Sequence, residues 1–286
     1  MNSFFMRILQ RKGSYYLQHS FRKNNKVITR ELHLGEKLPE NIEDIKKDFL
    51  QSCRKEAFYD VFEKIKTNFQ KEWASYPQSI QKKVLQQFAV DFTYNTNAIE
   101  GSTITLNETR ELVDKKVSPN KPLADVLETQ KHAQLFQKIL EEKTPRTMNA
   151  LLSWHKKLFV ETKPDIAGKT RDYLVRVHNY VAPDWQDLDT LLKEFVLFWK
   201  KPKNMHPIEH AARAHYRFEK IHPFGDGNGR MGRLIMNELL WNAKHPLLII
   251  EYKKRISYYK ALSRDEEYFV QYFMRRYLST HKKYWK

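Results

Sequence analysis

The sequence predicts a mainly α-helical protein with two small β additions. Over most of the chain after residue 40, apolar residues recur at the three- and four-residue spacing of an amphipathic helix. Residues 3–35 differ, because short runs of aromatic and β-branched residues alternate there with turn signals. The chain has 286 residues, of which 41% are hydrophobic, and this is enough to bury a sizeable core.

The N-terminal segment, residues 1–36, predicts a three-stranded antiparallel meander. Its three runs, SFFMRILQ, SYYLQHSF and KVITRELHL, are separated by Lys12-Gly13 and by Asn24-Asn25. Aromatic residues alternate with four basic residues, Arg22, Lys23, Lys26 and Arg30. One interpretation of this pattern is nucleic-acid binding through base stacking and phosphate contacts. The interpretation we favour is a small sheet that packs on the helical body.

The chain beyond this segment is helical by pattern nearly to its end. The predicted helices are residues 40–73, 77–97, 146–162, 188–200, 207–220 and 229–243, followed by two at the C terminus. Gly101 is the predicted C-terminal cap of the second helix. Thr105 and Glu108 form a predicted capping box that opens another helix.

The net charge and the single cysteine limit the function classes. The formal net charge of +17 favours acidic partners such as nucleic acid, an anionic membrane or a phosphate-bearing ligand, or else serves solubility alone. Cys53 cannot form an internal disulfide, so we expect a reducing compartment. No apolar run is long enough to span a bilayer, and Arg7 interrupts the apolar start that a signal peptide needs. We therefore expect a cytoplasmic protein without a membrane partner.

The segment KIHPFGDGNGRMGRL, residues 220–234, places three of the eight glycines within five positions. Pro223 disfavours helical geometry at His222, and a new apolar helical run follows Arg233, so a glycine-rich loop leads into a helix N-terminus. Backbone N–H groups in such a loop curl around an anion, which the helix dipole also favours. Arg230 and Arg233 share one face of the helix and point at the same anion. The segment therefore predicts a polyphosphate site.

Two further residues of this segment suit phosphate chemistry. Asp226 supplies a hard carboxylate oxygen for a Mg²⁺ ion that bridges phosphate oxygens. His222, with an ordinary pKa of about 6.5, is mostly neutral at pH 7 and can take a proton from an attacking hydroxyl. The pattern is not a Walker A loop, because no Gly-Lys-Ser/Thr follows the glycines.

HPFGDGNGRMGR, residues 222–233, resembles the motif of Fic-domain proteins at every defined position, and the similarity covers about residues 119–286. The resemblance to this Fic/DOC family implies a helical core with a β-hairpin flap. It also implies transfer of AMP from ATP to a Ser, Thr or Tyr hydroxyl of a target protein. His222 is the implied base, Asp226 the implied Mg²⁺ ligand and Arg233 the implied γ-phosphate ligand. The implied phosphate cradle consists of Gly227, Asn228, Gly229 and Arg230.

Relatives that match this motif also include enzymes that remove AMP from modified proteins and enzymes that transfer other phosphate-containing groups. Both activities stay open as alternatives. The nucleotide preference, the target protein and the formation of a homodimer stay open as well.

TNAIEG, residues 96–101, is similar to the inhibitory motif of the family class that carries this motif N-terminal to the catalytic core. The resemblance implies that Thr96 and Glu100 lie near a helix end and that Glu100 pairs with Arg233. Such a pair removes the guanidinium that orients the γ-phosphate, so the resemblance implies an autoinhibited enzyme. The other interpretation is a surface glutamate that ends a helix.

Two more sets of residues follow from the resemblance. Residues 169–181, KTRDYLVRVHNYV, alternate like an extended hairpin and resemble the family's flap, whose edge pins the target's backbone by strand addition. The implied docking residues are Val175, Arg176 and Val177. Tyr258 and Tyr259 resemble the family's adenine-side tyrosines, although paired tyrosines in a terminal helix also suit a core.

The sequence is thus divided into an N-terminal meander (residues 1–36), a helical region with the inhibitory motif (residues 37–116) and a Fic catalytic core with C-terminal helices (residues 117–286). A zinc peptidase is the competing enzyme class, because HPIEH, residues 206–210, matches the pattern His-x-x-Glu-His. Pro207 suits the first position of a helix, which makes His206 the N-cap and turns it away from the face that carries His210.

Overall fold

The computed structural model describes residues 6–23, 26–177, 180–201 and 205–286. The chain divides into two units, Met1–Thr67 with Trp285 and Asn68–Tyr284 with Lys286. Within the described residues, no helix combines the length and the apolar character needed to cross a membrane. The three regions predicted from the sequence stay a prediction.

The first unit contains the predicted antiparallel meander, with strands β1 (Arg7–Arg11), β2 (Ser14–Lys23) and β3 (Lys26–Gly35) in the order β1-β2-β3. The alternation of side chains in β2 buries Leu17, His19 and Phe21 on one face of the sheet. The meander prediction is confirmed. The start of its first predicted strand and the turn at Asn24-Asn25 lie outside the described residues.

The predicted helix over residues 40–73 consists of two α-helices joined through one π-helical turn. Helix α1 spans Ile42–Arg54, the π turn spans Lys55–Tyr59, and α2 spans Asp60–Ser75 and so contains the boundary between the units. Within the first unit this segment buries a row of apolar side chains: Phe49, Leu50, Cys53, Phe58, Phe62 and Ile65. A π turn adds one residue to the helix, which the apolar spacing alone does not predict.

The second unit is helical, with a short hairpin. Its remaining α-helices are α3 (Gln78–Ile99), α4 (Leu106–Arg110), α5 (Leu123–Glu141), α6 (Met148–Phe159), α7 (Leu188–Lys200), α8 (Pro207–Ile221), α9 (Asn228–Asn242), α10 (Arg255–Leu262) and α11 (Glu266–Thr280). The hairpin pairs β4 (Arg176–Val177) with β5 (Tyr180–Val181). The fold prediction, mainly helical with a meander and a hairpin, is confirmed. Helix α5 is an element that the sequence did not predict.

Two predicted caps fix the chain at the end of the TNAIEG motif and just after it. Gly101 has φ +97°, and the Ser102 N–H donates to the Asn97 carbonyl over 3.0 Å, which closes helix α3 in a Schellman arrangement. The capping box of Thr105 and Glu108 is present, with both of its hydrogen bonds. Glu100 is therefore held at the capped end of α3, a few residues before the next capped helix.

Helices α8 and α9 form the centre of this unit and contact α3, α5, α7 and α11. Helix α9 is buried almost throughout, because it packs on several other helices at once. The loop between α8 and α9 carries the HPFGDGNG segment. The core of the unit thus fixes both ends of this loop.

Candidate active site

The loop between α8 and α9 is closed by its own side chains. His222 caps α8 in the left-handed region, at φ 49° and ψ 59°, which is costly for a residue with a Cβ. The Asn228 side chain accepts from the Phe224 N–H over 2.9 Å and donates to the Phe224 carbonyl over 2.8 Å. Phe224 is fully buried and anchors the loop. The side chain of Asn228 therefore holds the loop shape, which leaves its backbone for the predicted phosphate role.

Gly227 is required by both its conformation and its space. Its φ of +77° lies in the region that favours glycine, and an added Cβ would overlap the ring of Phe159. The first N–H groups of α9 follow this residue directly. The loop therefore presents unpaired helix N–H groups next to backbone that no other residue type fits.

Four charged side chains of alternating sign lie beside the loop. The Arg230 guanidinium pairs with Glu128 and lies 3.6 Å from Asp226 Oδ2. The Lys163 ammonium contacts Glu128 over 2.8 Å and Asp226 over 2.7 Å. Both cations lie over the Phe159 ring. Glu128 on α5 and Lys163 after α6 were not predicted from the sequence, because only the fold brings them to the motif.

The Asp226 carboxylate fits the predicted metal role. Burial raises the pKa of Asp226, but Arg230, Lys163 and the Gly227 N–H together lower it by a larger amount. The net shift is therefore downward, and the group is ionised at neutral pH. Its Oδ1 accepts from the Gly227 N–H over 2.6 Å, and its Oδ2 faces Lys163. Mg²⁺ prefers such an oxygen and takes its other ligands from water and phosphate.

His155 on α6 supports the loop from beneath. The Gly168 N–H donates to its Nδ1 over 2.9 Å, so the ring proton lies on Nε2 and is donated to the Asp226 carbonyl over 3.0 Å. Burial lowers the pKa of His155 to about 4, which keeps this neutral tautomer at physiological pH. The ring also stacks on Phe224 at 3.8 Å. His155 was likewise not predicted from the sequence.

Arg233 and the TNAIEG motif meet as the sequence predicted. Arg233 is buried, and its Nη2 donates to Glu100 Oε1 over 2.5 Å, while its Nε donates to Thr96 Oγ1 over 2.7 Å. Gly229 lies directly below this pair, because a Cβ added there would overlap Glu100 Oε1. The Glu100 carboxylate therefore lies over the predicted phosphate cradle.

The surroundings of Arg233 contain a second carboxyl group that the sequence did not predict. Burial raises the pKa of Glu219 on α8 to about 7, against the opposing effect of Arg233 and with a further increase from Glu100. Glu219 Oε1 makes no hydrogen bond within the described part of the chain. His215 lies beside it, and burial lowers the pKa of His215 to about 3. Two carboxyl groups thus act on Arg233: Glu100, which pairs with it, and the buried Glu219.

His222 is held as a neutral imidazole. Burial lowers its pKa, a hydrogen bond to the Glu219 backbone opposes the decrease, and Arg171 lowers the pKa further. The net shift is downward, which increases the neutral fraction at pH 7. The ring can therefore accept a proton, as predicted.

The two tyrosines differ in exposure. Tyr258 is fully buried, and its hydroxyl contacts His215 Nε2 at 2.8 Å and Arg233 Nη1 at 3.4 Å. Its ring has no face for a base in this conformation. Tyr259 is 38% exposed, and its hydroxyl donates to the Ile99 carbonyl at the end of α3 over 3.2 Å. Only Tyr259 is therefore accessible to a nucleotide base here.

The hairpin is shorter than predicted. Strand pairing covers Arg176–Val177 and Tyr180–Val181, the Ala182 N–H donates to the Val175 carbonyl over 3.0 Å, and residues 178–179 lie outside the described residues. The Arg171 side chain donates to the His222 carbonyl over 2.9 Å and to the Pro183 carbonyl over 2.7 Å. The base of the hairpin is thus tied to the backbone of the predicted catalytic residue. Docking by Val175, Arg176 and Val177 stays a prediction.

The two histidines of HPIEH make separate structural hydrogen bonds. His206 is the N-cap of α8, where its Nδ1 accepts from the Ile208 N–H over 3.2 Å. His210 Nε2 donates to the Phe198 carbonyl over 2.8 Å. The N-cap prediction is confirmed, and the arrangement does not suit a zinc site built on these two residues.

The similarity of this chain to known proteins agrees with the geometry. Two curated proteins called Protein adenylyltransferase Fic are 34% identical to it. One, from Nematostella vectensis, aligns over 68% of this chain and 47% of its own length. The other, from Drosophila ananassae, aligns over 64% of this chain and 38% of its own length. The chain thus spans less than half the length of the curated relatives it matches.

Solved structures match the fold. A Fic domain containing signaling protein from Bacteroides thetaiotaomicron has a TM-score of 0.68 at 22% identity and covers 78% of this chain and 96% of its own. Fic-1 from C. elegans has a TM-score of 0.69 at 24% identity and covers 85% of this chain and 75% of its own. Residues 145–240 match the family model described as Fic/DOC family. This chain therefore carries a domain of the Fic/DOC family.

Proposed function

We propose that the protein transfers AMP from ATP to a Ser, Thr or Tyr hydroxyl of another protein, with Mg²⁺ as the metal. The observation that carries the proposal is the loop between α8 and α9, which combines a neutral His222, an ionised Asp226 and the N-terminus of α9 within one short segment. The names of the curated relatives support the same activity. A cytoplasmic location is proposed from the single cysteine.

In the proposed reaction, the N–H groups of Gly227, Asn228 and Gly229 and the Arg230 side chain bind the phosphates of ATP. His222 takes the proton from the target hydroxyl as the oxygen attacks the α-phosphorus, and pyrophosphate leaves. Positioning supplies much of the catalysis, because the attack requires an in-line geometry. Asp226 would hold Mg²⁺, which supplies charge stabilisation at the phosphates.

We propose further that Glu100 inhibits this reaction. Its carboxylate pairs with the guanidinium of Arg233 and fills the space above Gly229. The γ-phosphate needs both the guanidinium and this space. ATP that binds with a misplaced γ-phosphate presents its α-phosphate at the wrong angle. Thr96 supports the inhibited arrangement through its hydrogen bond to Arg233.

Transfer of labelled AMP tests both parts of the proposal. We expect Glu100→Gly to transfer AMP on the order of tenfold faster than the wild type, since a lost pairing of about 1.4 kcal/mol is a factor of ten. Combining Glu100→Gly with Arg233→Ala should abolish this gain in rate, because the released Arg233 is the residue that positions the γ-phosphate. His222→Ala should transfer AMP about 10²–10⁴-fold more slowly than the wild type.

The matched control is Glu161→Gly, which removes a glutamate paired with Lys131 at 2.6 Å outside the site. Its rate should equal that of the wild type. Equal rates in wild type and Glu100→Gly would refute the inhibition and leave the transfer standing. Wild-type transfer by His222→Ala would refute the catalytic assignment, and release of AMP from a modified protein in place of transfer would favour the removal reaction.

A further inference from the structure

The ion pair between Lys163 and Asp226 bears directly on how the site takes up a metal. The Asp226 Oδ1 is committed to the Gly227 N–H over 2.6 Å. The Oδ2 is the oxygen left for a metal, and the Lys163 ammonium lies 2.7 Å from it. An ammonium and a divalent cation at one carboxylate oxygen repel each other strongly, since both are positive at short range. The two cations therefore compete for Oδ2.

Lys163 is held in this position by its backbone and by a second anion. The Lys163 N–H donates to the Phe159 carbonyl over 2.7 Å, and the Lys163 carbonyl accepts from the Ala167 N–H over 3.1 Å. Its ammonium also donates to Glu128 Oε1 over 2.8 Å. The side chain can leave Asp226 without losing its ion pairing, because Glu128 remains as its partner. Displacement by a metal is therefore opposed but not blocked.

We infer that Lys163 is the resident counter-ion of Asp226, which an incoming divalent cation displaces, and that it thereby sets the metal affinity of the site. The inference rests on the proposed role of Asp226 in holding Mg²⁺. Lys163 is a positioning residue in this account: it holds the carboxylate in place before the metal binds, and afterwards it keeps only its ion pair with Glu128. Removing its charge should tighten metal binding.

Direct binding of Mn²⁺ to the purified chain, without nucleotide, tests the inference. Electron paramagnetic resonance reports free Mn²⁺ and gives its dissociation constant. We expect Lys163→Met to lower that constant about two- to fivefold, the range that a partly exposed ion pair is worth. Lys163→Arg keeps the charge and should bind Mn²⁺ as the wild type does.

Lys131→Met is the matched control. Lys131 pairs with Glu161 at 2.6 Å with side-chain exposures of 31% and 44%, close to the 37% and 42% of Lys163 and Asp226. This variant should bind Mn²⁺ with wild-type affinity. Thermal unfolding by circular dichroism verifies that each variant is folded, and Lys163→Gln replaces Lys163→Met if the latter fails to fold.

Unchanged or weaker Mn²⁺ binding in a folded variant that lacks the Lys163 charge would overturn the inference. Asp226→Asn separates this failure from that of the proposed function. If Asp226→Asn abolishes binding while Lys163→Met matches the wild type, only the competition is refuted. If Asp226→Asn binds Mn²⁺ normally, Asp226 is not the metal ligand and the inference falls with that assignment, whereas AMP transfer is judged by its own assay.

Discussion

Arg233 and Glu219 show how a single proton can bear on the site. The pKa of Glu219, about 7, is raised mainly by burial and further by the charge of Glu100, while Arg233 lowers it. When Glu100 leaves, the raising charge is lost and Arg233 acts on Glu219 more strongly. The pKa of Glu219 therefore falls on release, and the inhibited arrangement binds the proton more tightly.

It follows that acid favours inhibition and alkali favours release. We expect the ratio of the Glu100→Gly rate to the wild-type rate to be larger at pH 6 than at pH 8, by up to about tenfold per unit of pKa difference. Glu100 raises the pKa of His222, so the loss of Glu100 also shifts the titration of His222. Glu219→Gln removes the Glu219 carboxyl but keeps this shift of His222, so it should give a smaller difference in the ratio between the two pH values. A ratio independent of pH in the presence of Glu219 would contradict the linkage.

At this scale, the residues within a contiguous motif could be predicted and their partners could not. His222, Asp226 and Arg233 follow from local order, because loop geometry and helix register place them together. Glu128, Lys163 and Glu219 come from α5, from the turn after α6 and from α8. Charged residues at helical spacing usually face solvent, so nothing in their local sequence indicates a buried role.

Among the elements, the end of α3 and the middle of α10 act together. The Tyr259 hydroxyl on α10 donates to the Ile99 carbonyl, one residue before Glu100. Carbonyls at a helix C-terminus lack partners within the helix, so this hydrogen bond fixes the helix end that carries Glu100. Helix α10 thus holds the proposed inhibitory element in place.

Tyr259→Phe should weaken the inhibition while keeping the ring. A hydrogen bond worth about 1 kcal/mol shifts the balance between inhibited and released forms about fivefold, so AMP transfer should rise by up to that factor. In the Glu100→Gly background the same change should have no effect. If Tyr259→Phe instead lowers the rate of AMP transfer equally in the wild-type and Glu100→Gly backgrounds, Tyr259 only contacts the adenine of the nucleotide. Tyr268→Phe, at an exposed tyrosine of α11, is the control for the substitution itself.

The elements that could be predicted have strong local signals. Helix α8 has a clear apolar face, and the caps at Gly101 and Thr105 use residue types with specific backbone preferences. The π turn Lys55–Tyr59 could not be predicted, because the apolar spacing of the sequence does not show the extra residue that it inserts. The hairpin was predicted too long, since alternation in residues 169–181 also arises where Arg171 and its neighbours make irregular loop contacts.

For the molecule as a whole, buried histidines link stability to pH. Burial lowers the pKa of His155, His210 and His281 to about 4 and that of His215 to about 3. In the unfolded chain each would titrate near its ordinary value of about 6.5. Between these values the unfolded state binds more protons than the folded state. The stability that these neutral histidines contribute is therefore fully present above about pH 6.5 and is lost as pH falls toward 4.

We expect each of these histidines to reduce the free energy of unfolding by about 1.4 kcal/mol per pH unit within that window. His210→Gln, which can still donate toward the Phe198 carbonyl, should lessen the slope by about this amount between pH 6 and pH 5. Denaturant unfolding followed by tryptophan fluorescence measures it, and identical slopes in wild type and His210→Gln would refute the assignment.

The overlap between Glu100 and the space above Gly229 makes the proposed inhibitor an intramolecular ligand that imitates a phosphate oxygen. A tethered anion competes at an effective concentration fixed by the cap of α3, typically in the millimolar range, and not by the amount of protein. Diluting the protein therefore does not relieve the inhibition. A change that loosens the helix end lowers this effective concentration, and it does so without altering any residue that binds the nucleotide.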